Sequence, residues 1–425
     1  MHSDYDIIII GSGPGGYGAA VKAVQKGAKV CLVEKNDLGG VCVNRGCIPT
    51  KTILNSALLY HKIKESENYG IKVKDPEINY CKIRTRALGV ISEIKKSMEL
   101  VLKSGKVDVI RGSAKLVSAG EVEADGKKIS AKNIIVATGS RPKMLKGLPV
   151  GQDNILTSES FLNLDTLPKS VLIVGGGVIG CEWAGMLAMF GVEVRIVEML
   201  DRLLPSEDED LVRIAERNLK RLGVTIELGA KVQEVKEEKV MLCAGREPNS
   251  DGFEILEKSE GGWIKVDKKM CTSVPGVYAV GDVKGLPLLA YTAEREGSVA
   301  VSNVLGEMKE MDYSFIPRVT FSVPEIASVG ARENERDNTA VTRGYFKGLG
   351  KAIADNETDG LVKIIYDKSD YKILGVGIVG KNASELIGEA TLAVQLGLAV
   401  KEWAGVLHSH PVLSEIFSAA LEKIK

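Results

Sequence analysis

Short apolar runs that alternate with amphipathic stretches dominate the first part of the chain. The run Tyr5–Ile10, apolar except for Asp6, is typical of a buried parallel strand, and Lys29–Val33 reads as a second strand ending at Glu34. Between them lie a glycine-rich turn and a stretch of small residues at helical spacing. This order of strand, turn, helix and strand predicts a parallel α/β unit.

The same pattern recurs further along the chain. The apolar run Val171–Val174 leads into a second glycine-rich turn and a helix, and the strand Glu193–Val197 ends at Glu198. In both copies the acidic residue follows the first glycine of the turn by 23 positions (11 to 34 and 175 to 198). Two copies with the same spacing predict two dinucleotide sites in one chain, and therefore electron transfer between two cofactors.

The glycines of the first turn have separate physical roles in such a site. Gly11 makes the tight turn, Gly13 lets the backbone approach a pyrophosphate, and Gly16 lets helix and strand pack closely. The helix then directs its positive N-terminal end at the phosphates, and Glu34 is placed to accept hydrogen bonds from a ribose.

Later segments are expected to complete these units. Lys132–Ser140 reads as a strand running into a glycine turn, and Thr272–Asp282 as a strand that would place a carboxylate at the C-terminal edge of a sheet. After about residue 312 the pattern changes to two strands, near 361–366 and 373–379, and two amphipathic helices, near 383–397 and 413–424. That composition indicates an α+β domain suited to dimerisation.

Composition excludes several classes of protein. The 425 residues are 44% apolar and 26% charged, which excludes a disordered or fibrous chain. Lys+Arg and Asp+Glu both number 56, with no basic tract, so neither nucleic acid nor an anionic membrane is an expected partner. No apolar run approaches the roughly 20 residues that span a bilayer. Because a strand begins by Tyr5, no targeting peptide is expected either, and we predict a cytoplasmic protein.

Two of the seven cysteines stand apart from the others. An odd number scattered over the chain is unlike a secreted disulfide framework, and Cys31, Cys181, Cys243 and Cys271 lie in or beside apolar stretches typical of inert core residues. Cys42 and Cys47 instead lie close together in a polar, glycine-rich setting.

The spacing of Cys42 and Cys47 favours redox chemistry. Two cysteines separated by four residues can close a small ring, and Pro49 suits the first turn of a helix. A helix N-terminus and a neighbouring cation both favour the thiolate. A metal site would need a second pair of Cys or His ligands, and since the sequence has none at ligand spacing, we predict no bound metal.

At this point the sequence resembles the pyridine-nucleotide–disulfide oxidoreductases, and within them the dihydrolipoamide dehydrogenases. The resemblance spans nearly the whole chain and is carried, in order, by the first glycine fingerprint, Gly39–Lys51, Ala137–Gly139, the second glycine fingerprint, Gly281-Asp282, Pro324–Gly330 and His408–Glu415.

The resemblance implies an α/β fold with two Rossmann-like domains, for FAD and NAD, and a C-terminal α+β dimerisation domain. We therefore expect a FAD domain over 1–145, an NAD domain over 146–271, a return to the FAD domain over 272–311 and the dimerisation domain over 312–425. It also implies a homodimer.

Redox roles follow from the same resemblance. Cys42 would exchange with the substrate disulfide, and Cys47 would lie against the flavin in a charge-transfer complex. Lys51 would lie near the flavin N5 and pair with Glu182, and Asp282 would bind the ribityl–pyrophosphate region.

His410 and Glu415 form the expected acid–base dyad. Taken alone, a histidine before a proline is more often structural, and it is the resemblance that favours catalysis. Glu415 would fix the imidazole tautomer while the imidazole takes a thiol proton. In the family this dyad comes from the partner subunit, and His408 is expected to be a bystander.

The remaining site residues implied by the resemblance bind the cofactors. The full predicted set is Gly11, Gly13, Pro14, Gly15, Gly16, Glu34, Lys35, Gly40, Val41, Lys51, Ala114, Thr138, Gly139, Ser140, Gly281, Asp282, Leu289, Ala290, Gly175, Gly177, Val178, Ile179, Gly180, Glu198 and Gly245.

Glu198 favours NAD over NADP, because a carboxylate there bonds a free 2′-hydroxyl and repels a 2′-phosphate. Glutathione-reductase-like relatives carry arginine there, and prefer alanine where this chain has Gly180. Arg195 and Arg202 leave open the alternative of a 2′-phosphate site.

The predicted function is the oxidation of dihydrolipoyl groups with NAD through a Cys42–Cys47 disulfide and FAD. Expected partners are free dihydrolipoamide or a lipoyl-bearing acyltransferase or carrier protein of a 2-oxo acid dehydrogenase or glycine-cleavage type complex. Two alternatives stay open: reduction of another disulfide with NAD(P)H, and a non-catalytic FAD-binding redox sensor.

Three departures from the family pattern stand out. The stretch 231–241 is much shorter than the usual antiparallel excursion, so part of a β-meander is expected to be absent. Tyr291 stands where lipoamide enzymes usually carry histidine, and Val41 replaces a common threonine.

Overall fold

The computed structural model describes residues 3–424. Residues 1, 2 and 425 belong to the first and last predicted domains and lie outside the described range. The chain divides into two compact units. The first holds the described residues up to Leu145 together with Leu156–Leu167 and Ala244–Asp312. The second holds Lys146–Ile155, Pro168–Cys243 and the described residues from Tyr313 onward. The four predicted domain limits stay a prediction.

The N-terminal part of the chain alternates strands and helices before a run of antiparallel strands. Its elements are β1 (Tyr5–Ile10), α1 (Pro14–Gln25), β2 (Val30–Glu34), α2 (Gly40–Arg45), α3 (Cys47–Lys64), α4 (Tyr80–Ser104), β3 (Asp108–Arg111), β4 (Ala114–Ser118), β5 (Glu121–Ala124), β6 (Lys127–Val136) and β7 (Ser140–Pro142).

The middle part contains the second strand–helix–strand repeat. Its elements are β8 (Ile155–Thr157), β9 (Ser170–Val174), α5 (Val178–Met189), β10 (Glu193–Val197), α6 (Glu209–Arg221), β11 (Thr225–Glu227), β12 (Lys239–Leu242), β13 (Arg246–Pro248), β14 (Val277–Ala279) and α7 (Ala290–Val304).

The C-terminal part is an antiparallel sheet with helices. Its elements are β15 (Arg318–Thr320), β16 (Glu325–Gly330), β17 (Thr339–Tyr345), α8 (Gly350–Ala354), β18 (Leu361–Asp367), β19 (Ile373–Gly380), α9 (Ala383–Leu396), α10 (Val400–Ala404) and α11 (Glu415–Leu421). Five short 3₁₀ helices lie over Ser66–Tyr69, Gln152–Asn154, Phe161–Asn163, Gly281–Lys284 and Phe346–Gly348.

The main sheet of the first unit has the order β3-β2-β1-β6-β5-β4, and β14 also pairs with β6. Strands β1, β2, β3, β6 and β14 are parallel, whereas β4 and β5 add antiparallel pairs at one side. Ile7–Ile10 at the centre are all buried, as expected for a strand covered on both faces. The C-terminal ends of β1, β2, β6 and β14 therefore meet at one edge, which is where the glycine turns lie.

The second unit contains two sheets. Strands in the order β11-β10-β9-β12 pair in parallel, and the buried residues are 171–174 of β9 and Val194, Ile196 and Val197 of β10. An antiparallel sheet of order β15-β16-β19-β18-β17 carries the C-terminal core, against which α9 and α11 pack.

The predicted α/β fold class is confirmed, including the two parallel repeats and the C-terminal α+β part. Two local features differ from the sequence pattern. The short helix α2 has no periodic apolar signal, and the strand expected over Thr272–Val280 is reduced to Val277–Ala279, since Pro275 has no N–H to give a ladder. Residues 228–238 carry no strand, in keeping with the shortened excursion.

Candidate active site

The first glycine turn joins β1 to α1 and leaves open space in front of the helix. A Cβ at Gly16 would lie 1.9 Å from the carbonyl oxygen of Gly11, and one at Gly11 would lie 2.3 Å from that of Ala137, so neither position accepts a side chain. A Cβ at Gly13, the N-cap of α1, would meet no atom within 4 Å. Backbone N–H groups therefore face an open cradle, which fits the pyrophosphate of a dinucleotide.

Glu34 at the end of β2 is fastened to this turn. Its carboxylate accepts hydrogen bonds from the Ser12 backbone N–H at 2.8 Å and the Ser12 hydroxyl at 2.7 Å, while Asn36 N–H donates to the other oxygen at 2.8 Å. The carboxylate is buried and held in one orientation beside the cradle, as a ribose acceptor requires.

The second glycine turn, in the other unit, repeats this geometry. A Cβ at Gly180 would lie 2.0 Å from the Gly175 carbonyl oxygen, whereas one at Gly177, the N-cap of α5, would meet nothing within 4 Å. Glu198 accepts hydrogen bonds from Gly176 N–H at 2.6 Å and Leu200 N–H at 2.8 Å. The two turns are thus matched cradles, each with a carboxylate fixed to its second residue.

Arg195 and Arg202, the two arginines that left a 2′-phosphate site open, are both engaged elsewhere. The Arg195 guanidinium binds Glu237 with contacts of 2.6 and 3.0 Å and Glu227 at 3.2 Å, and the Glu237 hydrogen bond raises the pKa of Arg195. Arg202 donates to the backbone carbonyls of Pro205 and Glu207. These contacts, together with Glu198, favour a nucleotide that has a free 2′-hydroxyl.

A hydrogen-bonded cluster holds the turn after β6 in the first unit. The Ser140 hydroxyl donates to Asp282 at 2.6 Å and accepts from Arg246 Nε at 2.6 Å. Thr138 donates to the Asn249 carbonyl at 2.7 Å, and the Asn249 amide returns a bond to the Thr138 carbonyl at 2.9 Å. Arg246 and Asn249 thus fix the predicted residues around Asp282.

A buried ion pair supports the Gly281-Asp282 turn from the opposite side. Glu296 on α7 accepts the Gly281 N–H at 2.7 Å and pairs with Lys284 at 3.0 Å, and both side chains are at most 5% exposed. Sequence reasoning missed Glu296, Arg246 and Asn249. Two of them, Arg246 and Asn249, lie in the short segment Arg246-Glu247-Pro248-Asn249 that follows Gly245, and nothing local marks Glu296.

The other predicted cofactor residues take the following positions. Pro14 and Gly15 open α1, Val178 and Ile179 open α5, Leu289 and Ala290 begin α7, Ala114 begins β4, Gly139 follows β6, Lys35 is exposed after β2, and Gly245 precedes β13. Tyr291 lies in the first turn of α7 with 43% of its surface exposed.

The two redox cysteines lie on consecutive helices in the first unit. Cys42 is on α2 and Cys47 is the first residue of α3, with Gly46 between the two helices. A Cβ at Gly40, where α2 begins, would lie 2.7 Å from the Cα of Gly13, so this segment packs directly against the first cradle. Val41 lies on the same short helix.

Cys42 and Cys47 are both in the thiol form, and their side chains interact. The hydrogen bond with Cys47, followed by burial, raises the pKa of Cys42, whereas the nearby charge of Lys51 acts in the opposite direction. The neutral thiol is therefore the favoured form of Cys42, in contrast to the thiolate that the helix-terminus argument predicts. Lys51 lies one helical turn after Cys47 on α3.

Four further cysteines are expected from the sequence to be inert core residues, and all four are at least partly buried. Cys31 and Cys181 are buried, Cys243 and Cys271 are half-buried, and burial raises the pKa of each.

Glu182 lies on α5 in the second unit and is buried. Its carboxylate accepts the Phe321 N–H at 2.9 Å. The pairing of Glu182 with Lys51 stays a prediction.

His410 and Glu415 lie together before and at the start of α11. The His410 Nδ1 is 2.8 Å from the Glu415 Oε1, and the second carboxylate oxygen accepts the Val412 N–H at 3.0 Å. These two hydrogen bonds lower the pKa of Glu415. The His410 side chain is 75% exposed, so the other ring nitrogen faces outward.

His408 also contacts a glutamate, but unlike His410 it is buried. Its side chain is 8% exposed, and its two nitrogens lie 3.0 Å from the Ser418 hydroxyl and 2.9 Å from Glu389. This environment is that of a structural histidine.

The matched cradles and the adjacent thiol pair define a two-cofactor disulfide oxidoreductase. Residues 5–297 match the pyridine nucleotide-disulphide oxidoreductase family, and residues 316–421 match the dimerisation domain of that family. The chain therefore belongs to this family, and the family resemblance stated from the sequence is confirmed.

Several relatives of the chain within this family are dihydrolipoyl dehydrogenases. The chain is 36% identical to the dihydrolipoyl dehydrogenase of Bacillus subtilis (strain 168), over 99% of this chain and 98% of the relative. It is equally similar to that of Thermus scotoductus, over 99% and 97%. Among solved structures, LpdA from Mycobacterium tuberculosis superposes with a TM-score of 0.92 at 27% identity, covering 99% and 100% of the two chains.

A more distant structure shares the fold alone. The HOCl-induced flavoprotein disulfide reductase RclA from Escherichia coli, solved as a Cu(II) complex, has a TM-score of 0.90 at 24% identity and is covered completely.

The chain is a flavin-dependent disulfide oxidoreductase, and the predictions of FAD and NAD are confirmed at the level of the family. The dimerisation-domain match supports a homodimer. Between residues 3 and 424, no helix is long and apolar enough to cross a membrane. In the same part of the chain, no group of three His, Cys, Asp or Glu side chains is placed to hold a metal ion.

Proposed function

We propose that this protein is a cytoplasmic dihydrolipoyl dehydrogenase that oxidises dihydrolipoyl groups with NAD. One observation carries the proposal above the others: two interacting thiols lie at the break between α2 and α3, directly against the first dinucleotide cradle. Once oxidised to a disulfide, this pair would give a substrate dithiol a bond to exchange with, next to where FAD would bind.

The lipoyl substrate is supported by the relatives. Dihydrolipoyl dehydrogenases match this chain over nearly its whole length, and Glu198 with its two backbone donors favours NAD. The proposed partners are a lipoyl-bearing acyltransferase or carrier protein of a 2-oxo acid dehydrogenase or glycine-cleavage type complex, or free dihydrolipoamide.

The chemistry begins with the Cys42–Cys47 pair in its disulfide form. His410 takes a proton from a substrate thiol, and the substrate thiolate attacks Cys42 Sγ, breaking the Cys42–Cys47 bond and releasing Cys47 as the thiolate. The second substrate thiol then attacks the substrate sulfur of the mixed disulfide, and its proton passes to Cys42 Sγ as that sulfur leaves. That step closes the oxidised substrate ring and releases Cys42, so the protein gains the two electrons that the substrate loses.

Each remaining residue has a part in this scheme. Glu415 orients His410 and stabilises the imidazolium, and Lys51 and Glu182 are proposed to act as a pair beside the flavin. Thr138, Gly139, Ser140, Gly281 and Asp282 are proposed to hold the flavin cofactor through the cluster around Arg246. FAD, when bound, supplies the two-electron redox chemistry that links the dithiol to NAD.

The test is anaerobic reduction of the purified holoenzyme with dihydrolipoamide, followed by absorbance, and then addition of NAD or NADP. We expect a long-wavelength charge-transfer band, then NADH formation with NAD in preference to NADP. C47S should abolish the band, whereas C81S, which alters an exposed cysteine on α4, should retain it.

Two other results would contradict the proposal in different ways. If dihydrolipoamide leaves the flavin oxidised while NADH produces the band, the substrate is another disulfide. If neither produces it although FAD is retained, the chain is a non-catalytic redox sensor.

A further inference from the structure

Within the second unit, the segment after Glu198 is fastened to the C-terminal antiparallel sheet by a buried carboxylate. Glu207 is 3% exposed, and its two oxygens accept hydrogen bonds from the Ser328 hydroxyl on β16 at 2.5 Å and Arg318 Nε on β15 at 3.3 Å. A buried carboxylate is costly unless its oxygens are bonded, so these contacts fix the place of Glu207. None of the proposed redox steps uses Glu207.

From Glu207 an unbroken chain of hydrogen bonds leads to the nucleotide carboxylate. The Glu207 N–H donates to the Leu204 carbonyl at 3.0 Å, and the Leu204 N–H donates to the Gly176 carbonyl at 3.0 Å. The Gly176 N–H in turn donates to Glu198 at 2.6 Å. Three backbone groups thus connect the sheet to the residue that selects NAD.

The turn in the middle of this chain is strained and therefore needs support. Leu204 has a φ of +44°, which a leucine adopts only when its surroundings impose it. Leu203 beside it covers the second glycine turn, since a Cβ at Gly176 would lie 2.4 Å from the Leu203 Cδ2. Without the anchor at Glu207, Leu203 and Leu204 would be expected to relax away from Gly176.

A second set of contacts holds the same segment just beyond Glu207. Lys363 on β18 is 2% exposed and binds Asp208, Asp210 and Glu333 at 3.2, 2.5 and 2.6 Å. These contacts hold the start of α6 against the antiparallel sheet, so Glu207, the residue just before Asp208, is held in place as well.

We propose that Glu207, held by Ser328 and Arg318, is a positioning residue for the nicotinamide nucleotide. It keeps the Leu203–Leu204 turn pressed on Gly176, which holds the second cradle and Glu198 in the geometry that binds the ribose and pyrophosphate. The inference rests on the NAD(H) use of the family and is independent of which dithiol is the substrate.

The test uses the FAD-loaded holoenzyme and measures NADH binding directly by calorimetry. We expect S328A and E207Q each to raise the NADH dissociation constant about tenfold, because each removes a buried hydrogen bond to a carboxylate. The double variant should raise it no more than E207Q alone, since both changes break the same chain. With NADH and an artificial electron acceptor, KM should rise while kcat and FAD content stay unchanged.

A matched control separates positioning from loss of stability. Thr342 is an equally buried residue of the same sheet whose hydroxyl donates to the Ala420 carbonyl at 2.7 Å, away from the Leu204 turn. T342V should leave the NADH dissociation constant unchanged. The proposal is wrong if S328A binds NADH as wild type does, or if T342V weakens binding as much as S328A. Should E207Q not fold, S328A decides the question alone.

Discussion

Two glycines of the second turn differ in what a methyl group would meet. At Gly180 the added carbon would lie 2.0 Å from a carbonyl oxygen of the protein, whereas at Gly177 it would enter open space. Gly177 has φ −75° and ψ −170°, which any residue can adopt. A single type of substitution therefore distinguishes a residue that the fold needs from one that a ligand needs.

We expect G177A to leave the thermal midpoint unchanged and to raise the NADH dissociation constant about tenfold or more, because the methyl group occupies the pyrophosphate space. G180A should instead lower the midpoint by several degrees, since helix and strand must separate to admit the methyl group. Thermal unfolding and NADH calorimetry on both variants check this. Equal midpoint losses in the two would contradict the assignment of the cradle.

Glu198 is the second residue-scale determinant that we propose, because its carboxylate is fixed to the second glycine turn and both arginines nearby are engaged elsewhere. E198A should lower the ratio of kcat/KM for NAD to that for NADP by about tenfold to a hundredfold, the value of one or two charge-assisted hydrogen bonds. Glu193, an exposed acid at the start of strand β10, which ends just before Glu198, provides the control, and E193A should leave the ratio unchanged. An unaltered ratio in E198A would place the selectivity elsewhere.

At the scale of elements, helix α11 and the loop before it separate two histidines that are two residues apart. His410 is exposed and paired with Glu415, whereas His408 is buried between Ser418 and Glu389. The loop therefore turns one ring outward and packs the other into the core beside Phe417.

H410Q should lower the rate of dihydrolipoamide oxidation by about 10²- to 10⁴-fold, the usual effect of losing a general base, without changing the thermal midpoint. H408Q should show the reverse, a lower thermal midpoint with the rate per folded enzyme retained. The reason is that it removes a buried ring that makes two hydrogen bonds. Stopped-flow kinetics and thermal unfolding on both variants test the distinction. A rate loss in H408Q as large as in H410Q would refute it.

Helices α2 and α3 show a second effect at this scale. The break at Gly46 puts Cys42 and Cys47 on different helices, yet the thiols still interact. The positive end of α3 is therefore next to Cys47, which fits the proposal that Cys47 leaves as the thiolate.

At the scale of the whole molecule, the buried charge cluster around Lys363 ties residues 208–210 to the antiparallel sheet. Burial opposes the charged form of both partners, but the ion pairs outweigh it, so the pKa of Lys363 is raised and that of Asp210 is lowered. The lowered Asp210 pKa gives stability that is present above its unfolded value of 3.8 and is lost as the pH falls through the folded value. The raised Lys363 pKa gives stability that is present below 10.5 and is lost as the pH rises through the folded value.

We therefore expect K363M to lower the free energy of unfolding at pH 7 by about 3 kcal/mol, because Asp208 loses its buried cation while Asp210 and Glu333 keep only their ion pairs with Arg343. The loss should shrink as the pH falls below 3.8 and through the lowered pKa of Asp210, because protonation of that carboxyl removes its ion pair with Lys363. Urea unfolding followed by circular dichroism at several pH values measures this.

Lys372, an exposed lysine that pairs with Asp370 at 3.0 Å, is the control for that experiment. K372M should change the free energy of unfolding by no more than about 0.5 kcal/mol. A loss in K363M that does not vary with pH would show that packing, and not charge, is responsible.

The sequence by itself determined the parts of this protein whose chemistry depends on local spacing. These parts are the turn glycines, the acidic residue 23 positions after the first glycine, and the Cys42–Cys47 pair. Each lies within a few tens of residues, so its pattern could be recognised from the sequence alone. The same is true of most strand and helix positions, because buried parallel strands and small-residue helices leave a clear apolar pattern.

Only the tertiary structure decided which distant side chains complete the site. Asn249 binds Thr138 across 111 positions, Arg246 binds Ser140 across 106 and Glu207 binds Ser328 across 121. Burial likewise separated His408 from His410, and ion pairing withdrew Arg195 from the nucleotide. These contacts arise from the meeting of elements far apart in the chain, and no periodicity or spacing encodes which of many polar residues will face one another once the sheets have formed.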